Sequence, residues 1–335
     1  MKSWKIDVPV LLIFFARPKE FEKTFEQVRK ARPSTLLLWQ DGPREGRQDD
    51  IENIRRCREI AENIDWECTV YKNYHETNMG CDPSTHYAHK WAFSLVDKCI
   101  ILEDDLVVSQ SLFPFCKELL DRYEHDERID RICCLNQLGR YDNGYSYLFN
   151  WNGASTGWAT WKRVADTWET EYDCIDNNYF CRLGKLKVNS KSHETFLKVC
   201  RQHKEEKIPH WEDIVANAML MNSRLVIVPT VNMVHNVGAD SENSTHGAES
   251  FDELPKVLRE LFNLVNYEME MPIKHPPYMV EDQEYAQAVQ KKFFPQSKVK
   301  KFFRKIETLW YRVRKGNFKK IGESIKRRFG KGKKK

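Results

Sequence analysis

The sequence predicts an α/β protein: a mainly parallel, Rossmann-like sheet flanked by helices, followed by a basic amphipathic helical tail. Three observations carry this. Strand-length apolar runs alternate with helix-period segments over the first hundred residues. One run, Lys98-Cys99-Ile100-Ile101-Leu102, feeds straight into Glu103-Asp104-Asp105 before the chain turns apolar again at Leu106-Val107-Val108. Residues 297–335 hold 17 Lys and Arg against 2 Asp and Glu, a net +15, while the whole chain is +5, so residues 1–296 carry −10.

Val8 to Phe15 reads as a first strand, broken at Ala16-Arg17-Pro18, where proline suits the first turn of a helix. Phe21, Phe25 and Val28 follow at helical spacing, and Pro33 closes that helix. Thr35 to Trp39 is a second strand ending in the turn Gln40-Asp41-Gly42-Pro43. Ile51, Ile54, Ile60, Ala61 and Ile64 mark a second helix and Trp66 to Tyr71 a third strand. Asp82-Pro83 starts a helix that runs to about Val96. Cys99 to Leu102 is short and continuously apolar, as in a strand buried on both faces. Leu112, Phe113, Phe115, Cys116, Leu119, Leu120 and Tyr123 form the apolar face of the next helix, and Ile132 to Leu135 is a further strand. The region 139–161 lacks clear periodicity and reads as a long connection or a binding surface. Helices are predicted near Val164–Thr170, Glu194–His203, Asp213–Asn222, Phe251–Met269 and Gln283–Phe294, with a strand at Leu225–Val228 and a polar loop over 232–250.

With 335 residues the chain can bury a large core. Its longest apolar run, Val8 to Ala16, contains Pro9 and is too short to span a bilayer. Met1-Lys2-Ser3-Trp4-Lys5 opens without the apolar centre of a signal peptide. The ten cysteines show no C-x-x-C pair or zinc spacing and fall mostly in apolar periodic segments, as reduced core thiols do. A cytoplasmic location is the expectation.

Buried strands rarely carry charge, so the acidic triplet belongs where its strand leaves the core, the end at which open α/β sheets bind ligands. Crowded carboxylates repel one another unless a positive charge joins them, and a hard divalent cation takes oxygen ligands that it shares with phosphates. The plain alternative is a solvated strand end or the acidic first turn of a helix. There is no G-x-G-x-x-G, P-loop or H-E-x-x-H. Gly153-Ala154-Ser155-Thr156-Gly157 does match the G-x-S-x-G of serine hydrolases, with Asp213 and either His235 or His246 following in the right order. Against that reading, Asn150-Trp151-Asn152 is poor material for the central strand the motif needs, and no H-G-G-G segment is present.

Several stretches in order resemble GT-A glycosyltransferases, specifically the N-acetylglucosaminyltransferase I family and its bacterial relatives. They are the first strand with Arg17, Trp39-Gln40-Asp41-Gly42, His86-Tyr87, Ile101 to Val108 with its triplet, Gly157-Trp158 with Trp168, His210-Trp211-Glu212-Asp213, and the loop from Val237-Gly238 to Ser244-Thr245-His246-Gly247. Together they span about residues 8–250; the region 139–190 matches poorly, and the basic tail has no counterpart in that family's membrane-anchored Golgi enzymes. The resemblance implies a GT-A fold and inverting transfer from a UDP-sugar, UDP-N-acetylglucosamine among them, with Mn²⁺ or Mg²⁺. It implies a glycan or lipid-linked acceptor in surface polysaccharide or glycoconjugate synthesis. It divides the chain into a GT-A domain over 1–296 and the tail. Within the domain, about 1–110 binds the nucleotide sugar, 111–250 carries catalysis and acceptor binding, and 251–296 adds C-terminal helices.

On this reading Asp105 holds the metal, Glu103 and Asp104 meet sugar and ribose, Arg17 pairs with the nucleotide, and Asp41 accepts the uracil N–H. Inversion needs one base at the acceptor hydroxyl. Asp213 is the first candidate and Glu212 the second, although acids in a helix's first turn are common without catalysis. His246 is a candidate late metal or phosphate contact or an exposed loop histidine, and His235 reads as structural. Gly157, Trp158 and Trp211 fall on the acceptor side, where Trp158 stacks on a sugar or is simply core.

The tail repeats apolar residues at helical spacing, first Val299, Phe302, Phe303, Ile306, Leu309, Trp310 and Val313, then Phe318, Ile321, Ile325 and Phe329. Lys and Arg between them make a helix suited to an anionic membrane surface, which puts the protein at the inner face of a membrane. Nucleic acid is the competing polyanion, and the apolar stripe with Trp310 favours lipid. The non-enzyme alternative is a peripheral sugar-nucleotide-binding protein without turnover.

Overall fold

The computed structural model of the chain describes residues 1–177, 179, 190–238, 254–293 and 297–314. At its centre is β1 (Ile6–Phe14), whose pairing slips between Ile6 and Pro9, where proline has no N–H to give. Pro18 opens α1 (Pro18–Ala31), which buries Phe21, Thr24, Phe25, Val28 and Ala31, one face of a helix. Arg32 ends it in the left-handed region at φ 48°, its N–H donating to Val28 O. Then come β2 (Pro33–Gln40), α2 (Gln48–Glu62), β3 (Thr69–Tyr74), α3 (Cys81–Leu95) and β4 (Lys98–Glu103). Leu36 to Leu38 and Cys99 to Leu102 are buried throughout, as strands covered by helices on both faces must be.

The remaining strands are β5 (Leu106–Val108), β6 (Ile129–Cys133), β7 (Tyr147–Asn150), β8 (Trp158–Trp161), β9 (Leu225–Pro229) and β10 (Val234–Asn236). The later helices are α4 (Leu112–Arg122), α5 (Lys162–Ala165), α6 (Ser190–Glu206), α7 (Trp211–Met221), α8 (Lys256–Phe262), α9 (Gln283–Phe293) and α10 (Lys298–Arg314). Eight strands form one sheet in the order β3-β2-β1-β4-β8-β6-β9-β7. The first four run parallel, β8 enters antiparallel to both β4 and β6, β6 and β9 are parallel, and β7 is antiparallel to β9. The fold is thus the α/β class expected, a large mostly parallel sheet flanked by helices. β1 has β2 on one side and β4 on the other, so the crevice at which strand order reverses opens at their carboxyl ends.

Several elements differ from the sequence reading. Strand β3 lies three residues later than Trp66–Tyr71, because Trp66 is buried with its Nε1 donating to Pro33 O while residue 66 bridges to Lys2. The supposed connection 139–161 contains two fully buried strands, β7 and β8. The polar loop over 232–250 begins with β10, which pairs antiparallel with β5. Helix α8 is far shorter than Phe251–Met269, and α5 far shorter than Val164–Thr170. Helix α9 lays Tyr285, Val289 and Phe293 on Cys133, Leu148, Val226 and Val228, a second apolar cluster on the antiparallel half of the sheet. No disulfide occurs among the described residues; Cys116 and Cys134 meet as thiols at 3.5 Å. No described helix is long and apolar enough to cross a membrane.

Candidate functional site

Strand β4 ends at Glu103, and the two residues after it turn the chain into β5. Asp104 and Asp105 are therefore carried out of the sheet at the switch point, yet they are only 2% and 6% exposed. Arg17, in the turn after β1, reaches across to both. Its Nη2 donates to Asp104 Oδ1, and its Nη1 donates to Asp105 Oδ2 at 3.0 Å. Asp104 Oδ2 accepts from Phe15 N at 3.0 Å, and Asp104 O accepts from Thr24 Oγ1 at 3.0 Å, so α1 and β1 hold that residue rigidly. Asp105 differs: its Oδ1 is buried with no hydrogen-bond partner. An orphaned carboxylate oxygen in a buried acidic cluster is what a hard cation satisfies.

The charges register this crowding. Burial, Asp105 and Asp104 push the Glu103 carboxyl up to about 8, and Arg17 only partly opposes them. Burial and the Asp104 charge also raise Asp105 above the usual carboxylate range, against the pull of Arg17 and the Asn236 side chain. Burial would lower the Arg17 guanidinium, but Asp104 and Asp105 together outweigh it and raise it.

Pairing of β10 with β5 brings Val237 and Gly238 over the triplet, and Val237 N donates to Asp105 O at 2.8 Å. A Cβ on Gly238 would stand 2.2 Å from Asp105 Oδ2 and 2.8 Å from Arg17 Nη1, so only glycine allows this approach. His246, expected as a late metal or phosphate contact, lies outside the described residues.

Beside the triplet is a cavity of about 310 Å³, lined by Phe15, Arg17, Asp41, Arg44, Glu103 and Asp104 among others. Its far wall is the start of α3, where Gly80, Cys81, Ser84 and Thr85 contribute. Trp39 Nε1 donates to Ser84 Oγ at 2.9 Å and ties that wall to β2. Asp41 lines the cavity with its oxygens engaged by Gly42 N, Asn78 Nδ2, Met79 N and Gly80 N at 2.9–3.2 Å. It clamps the loop before α3 while it lines the cavity in which it was expected to accept a uracil N–H. Burial raises its carboxyl, partly offset by those backbone donors. The sequence reading missed Phe15 and Arg44. Arg44 sits 5.4 Å from the Phe15 ring centroid and is held bidentately by buried Asp50 at 2.7 Å. A turn of the form D-G-P-R followed by an acidic helix start was the only available signal.

The two candidate bases part company at the start of α7. Glu212 is exposed, and its charge adds to the raising of Glu103. Asp213 is half-buried and faces elsewhere: its Oδ2 lies 3.3 Å from His203 Nδ1, and burial raises its carboxyl against the pull of His203 and His210. Trp158 and Trp211, expected on the acceptor side, are 1% and 6% exposed. Their rings stack at 6.2 Å, and both lie against His89, as does Trp168. Buried His89 has neither ring nitrogen hydrogen-bonded, and burial pushes it down to about 3, so it stays neutral. Gly157 adopts φ +58°, with Val234 and Leu102 packed against it.

Ser155 stands in a strand–loop–strand connection, between β7 at the sheet edge and antiparallel β8. A nucleophile elbow requires a strand-to-helix turn, so its geometry is absent here. His235 Nδ1 donates to Leu264 O at 3.1 Å, a backbone tie.

No protein-family model matches the chain, and no curated protein matches it. Solved structures give partial likenesses. A UDP-glucose pyrophosphorylase complexed with UDP-glucose is 7% identical with a TM-score of 0.34, over 70% of this chain and 94% of the other. The inositol-1-phosphate CTP transferase from T. maritima is 10% identical with a TM-score of 0.38, over 78% and 96%. The 4-diphosphocytidyl-2C-methyl-D-erythritol synthase from Anaerococcus prevotii DSM 20548 is 13% identical with a TM-score of 0.28, over 64% and 98%.

Proposed function

We propose that the protein is a metal-dependent, inverting glycosyltransferase that moves a sugar from a UDP-sugar to a hydroxyl of a glycan or lipid-linked acceptor. The observation that carries this is the buried Asp104–Asp105 pair at the switch point, with one orphaned Asp105 oxygen, beside a cavity of about 310 Å³. The donor set, all carboxylate oxygen, fits Mn²⁺ or Mg²⁺. Asp105 would hold the ion, which when bound takes up charge on the departing diphosphate.

The chain's own groups supply the rest. Arg17 lines the cavity and brings positive charge to the diphosphate. Phe15 and Arg44 give the base an aromatic and a guanidinium surface, and Asp41 fixes the shape of that end through its loop clamp. Glu103 faces the transferred sugar. Glu212 takes the proton of the acceptor hydroxyl as that oxygen bonds to the anomeric carbon and the sugar–phosphate bond breaks. Asp213, turned toward the histidines, positions the start of α7. Trp158 and Trp211 support the acceptor side through their packing on His89, and Gly157 allows the backbone turn just before Trp158.

Helix α10 adds a membrane contact to this proposal. Arg304 donates to Phe293 O and Lys292 O, and Glu307 accepts from Lys256 N at 2.8 Å, which fastens one face to the body. Val299, Phe302, Phe303, Ile306, Leu309, Trp310 and Val313 are left exposed. An apolar stripe of that size among lysines suits an anionic lipid surface. A chain ending at Gln296 should then fail to co-sediment with anionic liposomes, whereas the full chain does so and is only partly released by salt. Sedimentation of the shortened chain would refute the membrane role.

Thermal-shift measurements with a panel of nucleotide sugars test the main proposal. A UDP-sugar at 100 times its Kd should stabilise the fold by about 2.7 kcal/mol when Mn²⁺ is present, and far less without it. No stabilisation by any nucleotide sugar with metal would overturn the reading.

A further inference from the structure

A second cluster of metal-ligating side chains lies behind Glu212. His203 and Glu206 are three residues apart on α6 and so share a face. His210 lies just before α7, and donor atoms from all three lie within 4.8 Å of one another. The His203 and His210 rings stack at 3.6 Å, 17° from parallel. His203 is 9% exposed, and its Nδ1 has no hydrogen-bond partner, although Asp213 Oδ2 is 3.3 Å away.

The surroundings are arranged as they are around a metal-bound imidazole. His210 Nδ1 meets Asp82 Oδ2 at 3.0 Å, which fixes the ring and turns Nε2 toward Glu206 Oε2 at 3.3 Å. A carboxylate on the far nitrogen is the usual support of a ligating histidine. Gln202 Nε2 holds the other Glu206 oxygen at 2.7 Å and leaves Oε2 facing the cluster. Three carboxylates, Asp82, Glu206 and Asp213, thus surround two imidazoles, and no lysine or arginine ion pair reaches them among the described residues.

We propose that His203 Nδ1, His210 Nε2 and Glu206 Oε2 form a site for a borderline-soft divalent ion, with zinc the best fit, distinct from the oxygen-only triplet. Two imidazoles and one carboxylate suit zinc and leave its fourth tetrahedral position for water. Closing on the ion requires the two rings to splay from their stack. The ion joins α6 to the start of α7 and, through Asp82, to the first turn of α3, whose neighbours Gly80 and Cys81 line the cavity. It therefore holds in place the segment that carries Glu212.

The test uses the metal-stripped full chain carrying Asp105→Asn, so that the triplet does not compete. Zn²⁺ is titrated by calorimetry and Co²⁺ by visible absorption. One ion per chain, the strong bands of four-coordinate Co²⁺ and a raised melting temperature are expected. Glu206→Gln and His210→Gln should each weaken Zn²⁺ binding by at least about tenfold, and Asp82→Asn by about 10–100-fold, the usual effect of losing an orienting partner. His125→Gln, an exposed histidine elsewhere, should change nothing. If Asp105→Asn does not fold, the native chain in excess Mg²⁺ serves, since that ion fills an oxygen site and leaves nitrogen donors free. Absence of stoichiometric Zn²⁺ binding, or an affinity in the Glu206→Gln and His210→Gln chains equal to that of their parent, would overturn the proposal. Nucleotide binding is not measured, so the outcome is independent of the glycosyltransferase reading.

Discussion

Two neighbouring carboxylate clusters are neutralised in different ways. At the end of β4, Asp104 and Asp105 are buried against Arg17, a charge that does not leave at any ordinary pH. At the start of α7, Asp213, Glu206 and Asp82 surround His203 and His210, and burial together with His210 pushes His203 downward. The first cluster is held by a permanent cation, the second by two imidazoles. The first is all oxygen and suits a hard cation beside phosphate. The second mixes nitrogen and oxygen, and Asp213 faces it, whereas its neighbour Glu212 is exposed and its charge reaches Glu103.

The largest expected effect breaks the first cluster. Asp105→Asn removes the charge with the orphaned oxygen, so metal-dependent UDP binding should vanish and turnover fall on the order of 10³-fold. Calorimetry showing unchanged UDP affinity with and without Mn²⁺ would remove the metal role. Next comes the division between the two acids. Glu212→Gln should lower kcat by about 10²–10³-fold with little change in donor KM, whereas Asp213→Asn should lose much less. The reverse order in steady-state kinetics would return the base to Asp213.

A smaller effect reads the electrostatics. Glu103 has its carboxyl raised from 4.5 to about 8 in the fold, so the native state keeps a proton that the unfolded chain has lost. Its contribution is intact below 4.5 and is lost as pH rises through about 8. Glu103→Gln does not titrate, so the metal-free wild type should lose stability relative to this variant across that window. Urea midpoints that track each other over the whole range would contradict the crowding. The smallest effect concerns Ser155, which lacks an elbow: Ser155→Ala should leave activity within about twofold and stability within about 0.5 kcal/mol. Labelling of Ser155 by a fluorophosphonate would reopen the hydrolase reading.

The sequence alone determined the half of the molecule in which burial is complete on both faces. Leu36 to Leu38 and Cys99 to Leu102 have few alternatives to a central strand, and three acids directly after one must emerge at its carboxyl end. Pro18 and Pro33 marked the limits of α1 because proline suits a helix's first turn and is disfavoured beyond it. The antiparallel half was hidden. Tyr147–Asn150 and Trp158–Trp161 are four residues each, and β8 finds both its partners, β4 and β6, far away in the sequence. Three-residue β10 contains His235 and Asn236, which have no strand signature until β5 is beside them. Which of Glu212 and Asp213 meets the histidines also lay with tertiary structure, since successive helical residues point roughly 100° apart and nothing in their order says which direction that is. His203, Glu206 and His210 were visible as residues but not as a cluster, because only the turn from α6 into α7 brings His210 back over the face of α6. Local patterns fix what a segment becomes when its environment is uniform. Where function depends on which way one side chain faces, the environment comes from chain far away, and the packed structure decides.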